Sequence, residues 1–334
     1  MTSPGALMAA EIAEQPEALE RLLREGRDDC AAARTAIERQ RPRFAVLAAR
    51  GTSDHAALYA KYLVEVRLGL PAGLASASSM TVYGARPDMR DVLFVAVSQS
   101  GESPDLVEAT QVARAGGALT VAVTNSPDSP LTRAAEWPVL VHAGPERAVA
   151  ATKTYTNELL ALHQLLVGGE AAAVPDKASA TLALGERAYA AATRYRFTDR
   201  IVTTGRGFSY PTAREAALKL METSYLAAQA FSGADLLHGP LAMLGPDVPV
   251  LAVVPPGRAG AALAPVLDRL RTAGADVLRV GPADGLAVSS EGLDESLAPI
   301  LEILPLQQLA WRLALDRGGD PDRPRGLAKV TETW

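Results

Sequence analysis

Cysteine is almost missing from this sequence, with Cys30 the one thiol in 334 residues. A single cysteine permits no intrachain disulfide and no thiolate zinc cluster, and it fits a reducing cytoplasm. Histidine is scarce too: His55, His142, His163 and His238 lie too far apart for a local metal motif, and no metal or redox cofactor is expected. Aromatic residues make up 5%. No apolar run approaches the roughly 20 residues of a membrane span; the longest, Val92 to Val97 and Val248 to Val254, the latter interrupted by Pro249, read as buried parallel strands. Nor is there a basic excess. Lys plus Arg is 33 against 38 for Asp plus Glu, so the net charge of −5 leaves no footprint for a polyanion. Neither nucleic acid nor a membrane is an expected partner. The first residues, a short apolar run from Gly5 to Ala10 followed by Glu11 and Glu14, lack the basic and apolar regions of a secretion signal.

What is present is an ordinary globular composition, 48% apolar and 21% charged, in a chain long enough for two folded units. Short apolar runs at Phe44 to Ala49, Leu119 to Val123, Pro138 to Val141, Ile201 to Thr204, Val250 to Val254 and Val277 to Val280 predict strands. Ala-rich stretches such as Glu17 to Arg39 and Asp105 to Ala115 predict helices. Alternation of the two makes the class α/β, with parallel sheets flanked by helices.

The pattern repeats. Phe44 to Ser53, ending Arg50-Gly-Thr-Ser53, resembles Arg200 to Ser209, with Gly51 and Gly207 separated by 156 positions. Val92 and Gly101 meet Val248 and Gly257 at the same spacing. Duplication of one domain accounts for this. The predicted organisation is a helical segment over 1–40, a first domain over 41–170 and a second over 180–334.

The copies differ after their second predicted strand. The first reads Ser98-Gln-Ser-Gly-Glu-Ser103, the second Pro255-Pro-Gly-Arg-Ala-Gly260. Three hydroxyls and a glycine before a helix beginning near Pro104 offer an anion the free N–H groups and positive end of the helix. The same serines also suit simple helix capping. In the second copy Glu215, Lys219 and Glu222 share one helix face, either as a solvated salt bridge or as a reactive carboxylate with charged neighbours. His238 sits in Ala234-Asp-Leu-Leu-His-Gly-Pro240, where a histidine is structural or an acid–base group.

Ser98-Gln-Ser-Gly-Glu-Ser103, Arg50-Gly-Thr-Ser53 and Ala150-Ala-Thr-Lys-Thr-Tyr-Thr156 together resemble the sugar-isomerase (SIS) family. The likeness is greatest to the tandem-SIS isomerase half of glutamine:fructose-6-phosphate aminotransferases. It runs from Glu11-Ile-Ala-Glu-Gln-Pro16 to Pro324-Arg-Gly-Leu-Ala-Lys329. The resemblance implies two tandem SIS domains, each a flavodoxin-like three-layer sandwich. It assigns Ser98, Gln99, Ser100 and Ser103 to the phosphate of a hexose 6-phosphate, and Thr52 and Ser53 to the sugar's surroundings. Ala151, before Thr152 and Lys153, stands where the family often has serine.

By the same resemblance Glu222 shuttles a proton between carbons 1 and 2, with Lys219 and Glu215 as charged neighbours. His238 opens the sugar ring, donated across the interface of a homodimer, and Lys329 forms an imine with an open-chain ketose. Met221 and Leu237 replace common family lysines. Thr2 and the internal Cys30 offer no glutaminase nucleophile, so glutamine-dependent amination is not expected. The reading that follows is a hexosamine 6-phosphate deaminase/isomerase, giving fructose 6-phosphate and ammonia from glucosamine 6-phosphate. Alternatives are a dehydratase or lyase acting on N-acetylglucosamine 6-phosphate, a fructosamine-phosphate deglycase, and a sugar-phosphate sensor.

Overall fold

A computed structural model describes residues 3–281 and 284–329. It holds two five-stranded, wholly parallel sheets. The first comprises β1 (Phe44–Ala48), β2 (Ala72–Leu74), β3 (Val92–Ser98), β4 (Leu119–Thr124) and β5 (Trp137–Leu140), in the order β2-β1-β3-β4-β5. The second comprises β6 (Arg200–Gly205), β7 (Ala227–Ser232), β8 (Val250–Val253), β9 (Val277–Gly281) and β10 (Leu286–Ala287), in the order β10-β9-β8-β6-β7. Read from the other edge, the second order repeats the first, a doubly wound arrangement.

The repeat extends to register. Val46 pairs with Phe94 and Ala45 with Ala72 in the first sheet; Val202 pairs with Val250 and Ile201 with Ala228 in the second. All four partners shift by the same 156 positions. Strands buried on both faces explain the continuous apolar runs: Leu93 to Val97 and Val250 to Val253 are each fully buried.

Two compact units contain these sheets. The first-sheet unit is Glu17–Glu146, Lys153–Ala172 and the described residues from Ala328; the second-sheet unit is the described residues up to Pro16, Arg147–Thr152 and Ala173–Leu327. The first packs Phe94, Ala96 and Ala122 against Leu106, Ala109 and Ala113 of the helix Pro104–Ala115. In the second, Val202 and Val250 meet Leu236, Leu263, Val266 and Leu270.

Three differences from the sequence reading have physical causes. The stretch Glu17 to Arg39 is two helices, Gln15–Glu25 and Arg27–Gln40, broken at Gly26. A Cβ at Gly26 would lie 2.6 Å from a Leu22 methyl. The edge strands β2, β7 and β10 carry no β-branched run, and β7 is largely alanine; pairing with β1, β6 and β9 overrides local preference. The Glu11 to Pro16 motif is structural. Glu11 is buried and accepts backbone N–H bonds from Arg147 and Ala148, while Gln15 donates to Gln307 at 2.8 Å. No helix among the described residues is long and apolar enough to cross a membrane.

Candidate active site

The residues singled out from the sequence divide between the two units. In the first-sheet unit β3 ends at Ser98, whose hydroxyl accepts the Gly101 N–H at 3.2 Å. Gly101 has φ 65°, and a Cβ there would overlap the Ser129 side chain, so this turn requires glycine. The Gln99 carbonyl is held by the Thr124 hydroxyl (3.2 Å) and the Asn125 N–H (3.1 Å), while the Ser100 hydroxyl accepts the Glu102 N–H at 3.3 Å. Ser103 occupies the N-cap of the helix Pro104–Ala115, yet its side chain makes no capping bond. Capping therefore does not account for Ser103. Its hydroxyl stands at a helix N-terminus, where an anion is favoured.

The turn after β1 lies in the same unit. Gly51 has φ 56° and ψ −130°, and Thr52 opens the helix Thr52–Leu63. Thr52 is half-buried; Ser53 is buried and donates to Glu158 at 2.9 Å. Arg50 reaches Asp105 at 2.7 Å, joining the β1 and β3 turns and setting a guanidinium beside the serine loop. His55 and His163 are buried in helices, and His142 lies 3.6 Å from Glu25.

Glu146, which no sequence pattern marks, is the junction of this unit. Its carboxylate, fully buried, accepts from the Gln99 amide at 3.2 Å, from the Thr154 N–H at 3.1 Å and hydroxyl at 2.7 Å, and from Lys329 at 2.8 Å. Thus the phosphate-loop glutamine and the tail lysine share one counter-charge. Residues 330–334, where the tail departs from the family sequence, lie outside the described residues.

In the second-sheet unit the helix Tyr210–Ser224 carries the charged triad. Lys219 lies 3.4 Å from Glu215 and 2.5 Å from Glu222. The solvated-pair reading is wrong: the Lys219 side chain is 1% exposed and that of Glu215 0%. Glu222, at 22%, is the one of the two carboxylates with exposed side-chain surface. Tyr225 ends the helix at φ 57°; its hydroxyl accepts the Arg325 N–H at 2.9 Å, and the Arg325 guanidinium stacks 4.4 Å from its ring centre. His238 is exposed at the C-cap of Gly233–Leu237, and its side chain bonds to none of the triad. Ala151 and Thr152 also belong to this unit; the Thr152 carbonyl accepts from Gln307 at 3.2 Å. Met221 and Leu237 are both exposed.

Each copy locks its first turn with a buried serine–glutamate pair. Ser53 with Glu158 is matched by Ser209 with Glu302, also at 2.9 Å. Burial pushes the Glu302 carboxyl up to about 7, against the opposing bonds from Ser209 and Thr212. The folded protein keeps this proton to higher pH than the unfolded chain, so its stability falls as pH rises from about 4.5 to about 7. Denaturation across that range is expected to show wild type losing stability relative to Glu302→Gln. A difference that does not change with pH would contradict this.

The second copy's equivalent of the phosphate turn is already filled. Glu295 accepts N–H bonds from Ala259 at 2.8 Å and Arg258 at 3.3 Å, and a Cβ on Gly257 would come within 3.0 Å of its carboxylate. Among the described residues no three His, Cys, Asp or Glu side chains converge as a metal site.

The SIS domain model matches residues 40–168 and 195–280. Over 96% of its length the chain is 35% identical to a glutamine–fructose-6-phosphate aminotransferase (isomerizing) of Methanothermobacter thermautotrophicus, and it spans 56% of that relative. A solved structure of a candidate phosphosugar isomerase from Silicibacter pomeroyi is 35% identical, with TM-score 0.83, covering 94% of this chain and 99% of that one. The C-terminal domain of the Francisella tularensis glucosamine-fructose-6-phosphate aminotransferase is 26% identical at TM-score 0.82, covering 94% and 97%. With two matching domains on two sheets of one topology, the chain belongs to the SIS domain family.

Proposed function

We propose that the chain is a phosphosugar isomerase acting on a hexosamine 6-phosphate, converting glucosamine 6-phosphate to fructose 6-phosphate and ammonia. The observation that carries this reading is the shared lysine of the second-sheet unit: Glu215 is sealed, while Glu222, bound to the same ammonium, has exposed side-chain surface. A carboxylate held against an ammonium and partly exposed suits proton transfer at carbon 2.

The phosphate is captured by Ser98, Gln99, Ser100 and Ser103, with Thr52 beside the sugar and Arg50 adding charge at the loop's edge. His238, donated by a second copy in the homodimer that the resemblance implies, moves a proton between the anomeric hydroxyl and the ring oxygen. The ring opens to the aldehyde. Glu222 takes the carbon-2 proton and returns one to carbon 1, leaving an imine at carbon 2. Water adds to that imine and ammonia departs. Lys329 meets the ketose carbonyl.

In this reading ammonia is a product. Cys30 is buried, and burial pushes its thiol up to about 12, so it offers no ready thiolate nucleophile.

The test is incubation with glucosamine 6-phosphate and, separately, with its N-acetyl form. Stoichiometric ammonia and fructose 6-phosphate from the first are expected. An unsaturated, ultraviolet-absorbing product from the second alone would replace this reading with a lyase; binding without product would replace it with a sensor.

A further inference from the structure

Glu146 has no place in the proton transfers above, yet its carboxylate accepts four bonds within the first-sheet unit. Its donors come from three separate segments: Gln99 in the phosphate loop, Thr154 in the first turn of the helix Lys153–Leu166, and Lys329 in the tail. A carboxylate with no exposed side-chain surface is tolerated only when its oxygens are bonded. Here Oε1 takes the Thr154 N–H, and Oε2 is shared by the Thr154 hydroxyl, the Gln99 amide and the Lys329 ammonium.

We propose that Glu146 is a positioning residue that ties the tail lysine to the phosphate loop, fixing the distance between the phosphate and carbonyl ends of the bound sugar. The role rests on the functional reading above. One carboxylate holds both Gln99 and Lys329, so a shift at either is felt at the other. An amide in its place offers donors where Lys329 and Gln99 also bring donors. The lysine then loses its counter-charge and its seat.

The test compares wild type with Glu146→Gln, and with Glu146→Asp, which keeps the charge but shortens the reach. In the free protein, acetylation of Lys329 by an N-hydroxysuccinimide ester is followed by peptide mass spectrometry. Labelling is expected to be several-fold faster in Glu146→Gln and intermediate in Glu146→Asp. Turnover of glucosamine 6-phosphate is expected to fall by about 10²-fold in kcat, the scale of a misplaced reacting group, with a smaller rise in KM from the loosened Gln99 contact. Unchanged labelling overturns the seat whatever the activity. Faster labelling with unaltered kcat overturns the positioning role. A wild type inactive on every sugar phosphate overturns the functional reading and the role resting on it, but not the labelling difference. If Glu146→Gln does not fold, Glu146→Asp carries the same comparison.

Discussion

Glu222→Gln is expected to lower kcat by about 10²- to 10⁴-fold, the range that a positioned general base contributes, and to leave the affinity for the sugar phosphate nearly intact. Glutamine keeps the size of the side chain and an oxygen for Lys219, but it cannot accept the carbon-2 proton. Lys219 retains Glu215 at 3.4 Å, so the buried ammonium is still neutralised and the helix Tyr210–Ser224 should hold. The groups assigned to the phosphate lie in the other unit, around Ser98 to Ser103, and are untouched by the change. Steady-state kinetics and calorimetric titration with the substrate separate these effects. Wild-type kcat in the variant would remove Glu222 from the chemistry, and lost binding with normal kcat would make it a binding residue.

Lys219→Met is expected to destabilise the protein by about 3–5 kcal/mol, the cost of breaking a buried ion pair from one side. The ammonium is shared by two carboxylates, and Glu215 has no side-chain exposure through which water could replace it. Methionine fills the volume but supplies no charge. A second change, Glu215→Gln, should recover much of the loss by removing the stranded carboxylate, which a double-mutant cycle by urea denaturation measures directly. A loss below about 1 kcal/mol, the range of exposed pairs, would mean that solvent reaches Lys219 despite its 1% exposure.

Much of the fold was legible because buried parallel strands write themselves as apolar runs. Val92 to Val97 and Val250 to Val254 became β3 and β8, and the Gly51–Gly207 spacing is the spacing of strand register in the two sheets. The serine turn was legible for a local reason too, since hydroxyls, glycine and Pro104 sit in consecutive positions at a helix start.

The hidden parts depend on partners distant in sequence. Glu146, Glu158, Glu295 and Glu302 look like any surface acid, and only folding brings them to Lys329, Ser53, Ala259 and Ser209. Spacing put Glu215, Lys219 and Glu222 on one face but could not say which way that face points. The helix packs that face inward, turning an ordinary exposed pairing into a buried one. The break at Gly26 was missed because alanine and charged residues continue on both sides of it.

Proton transfer at carbon 2 is the central step of the proposed reaction, and it is observable without product release. Glucosamine 6-phosphate and fructose 6-phosphate are each incubated with the protein in deuterium oxide and followed by proton magnetic resonance. Loss of the carbon-2 proton signal of the aldose, or of one carbon-1 proton of the ketose, with wild type and not with Glu222→Gln, is the predicted result. Full retention of these protons with wild type, while both sugars bind, would contradict it.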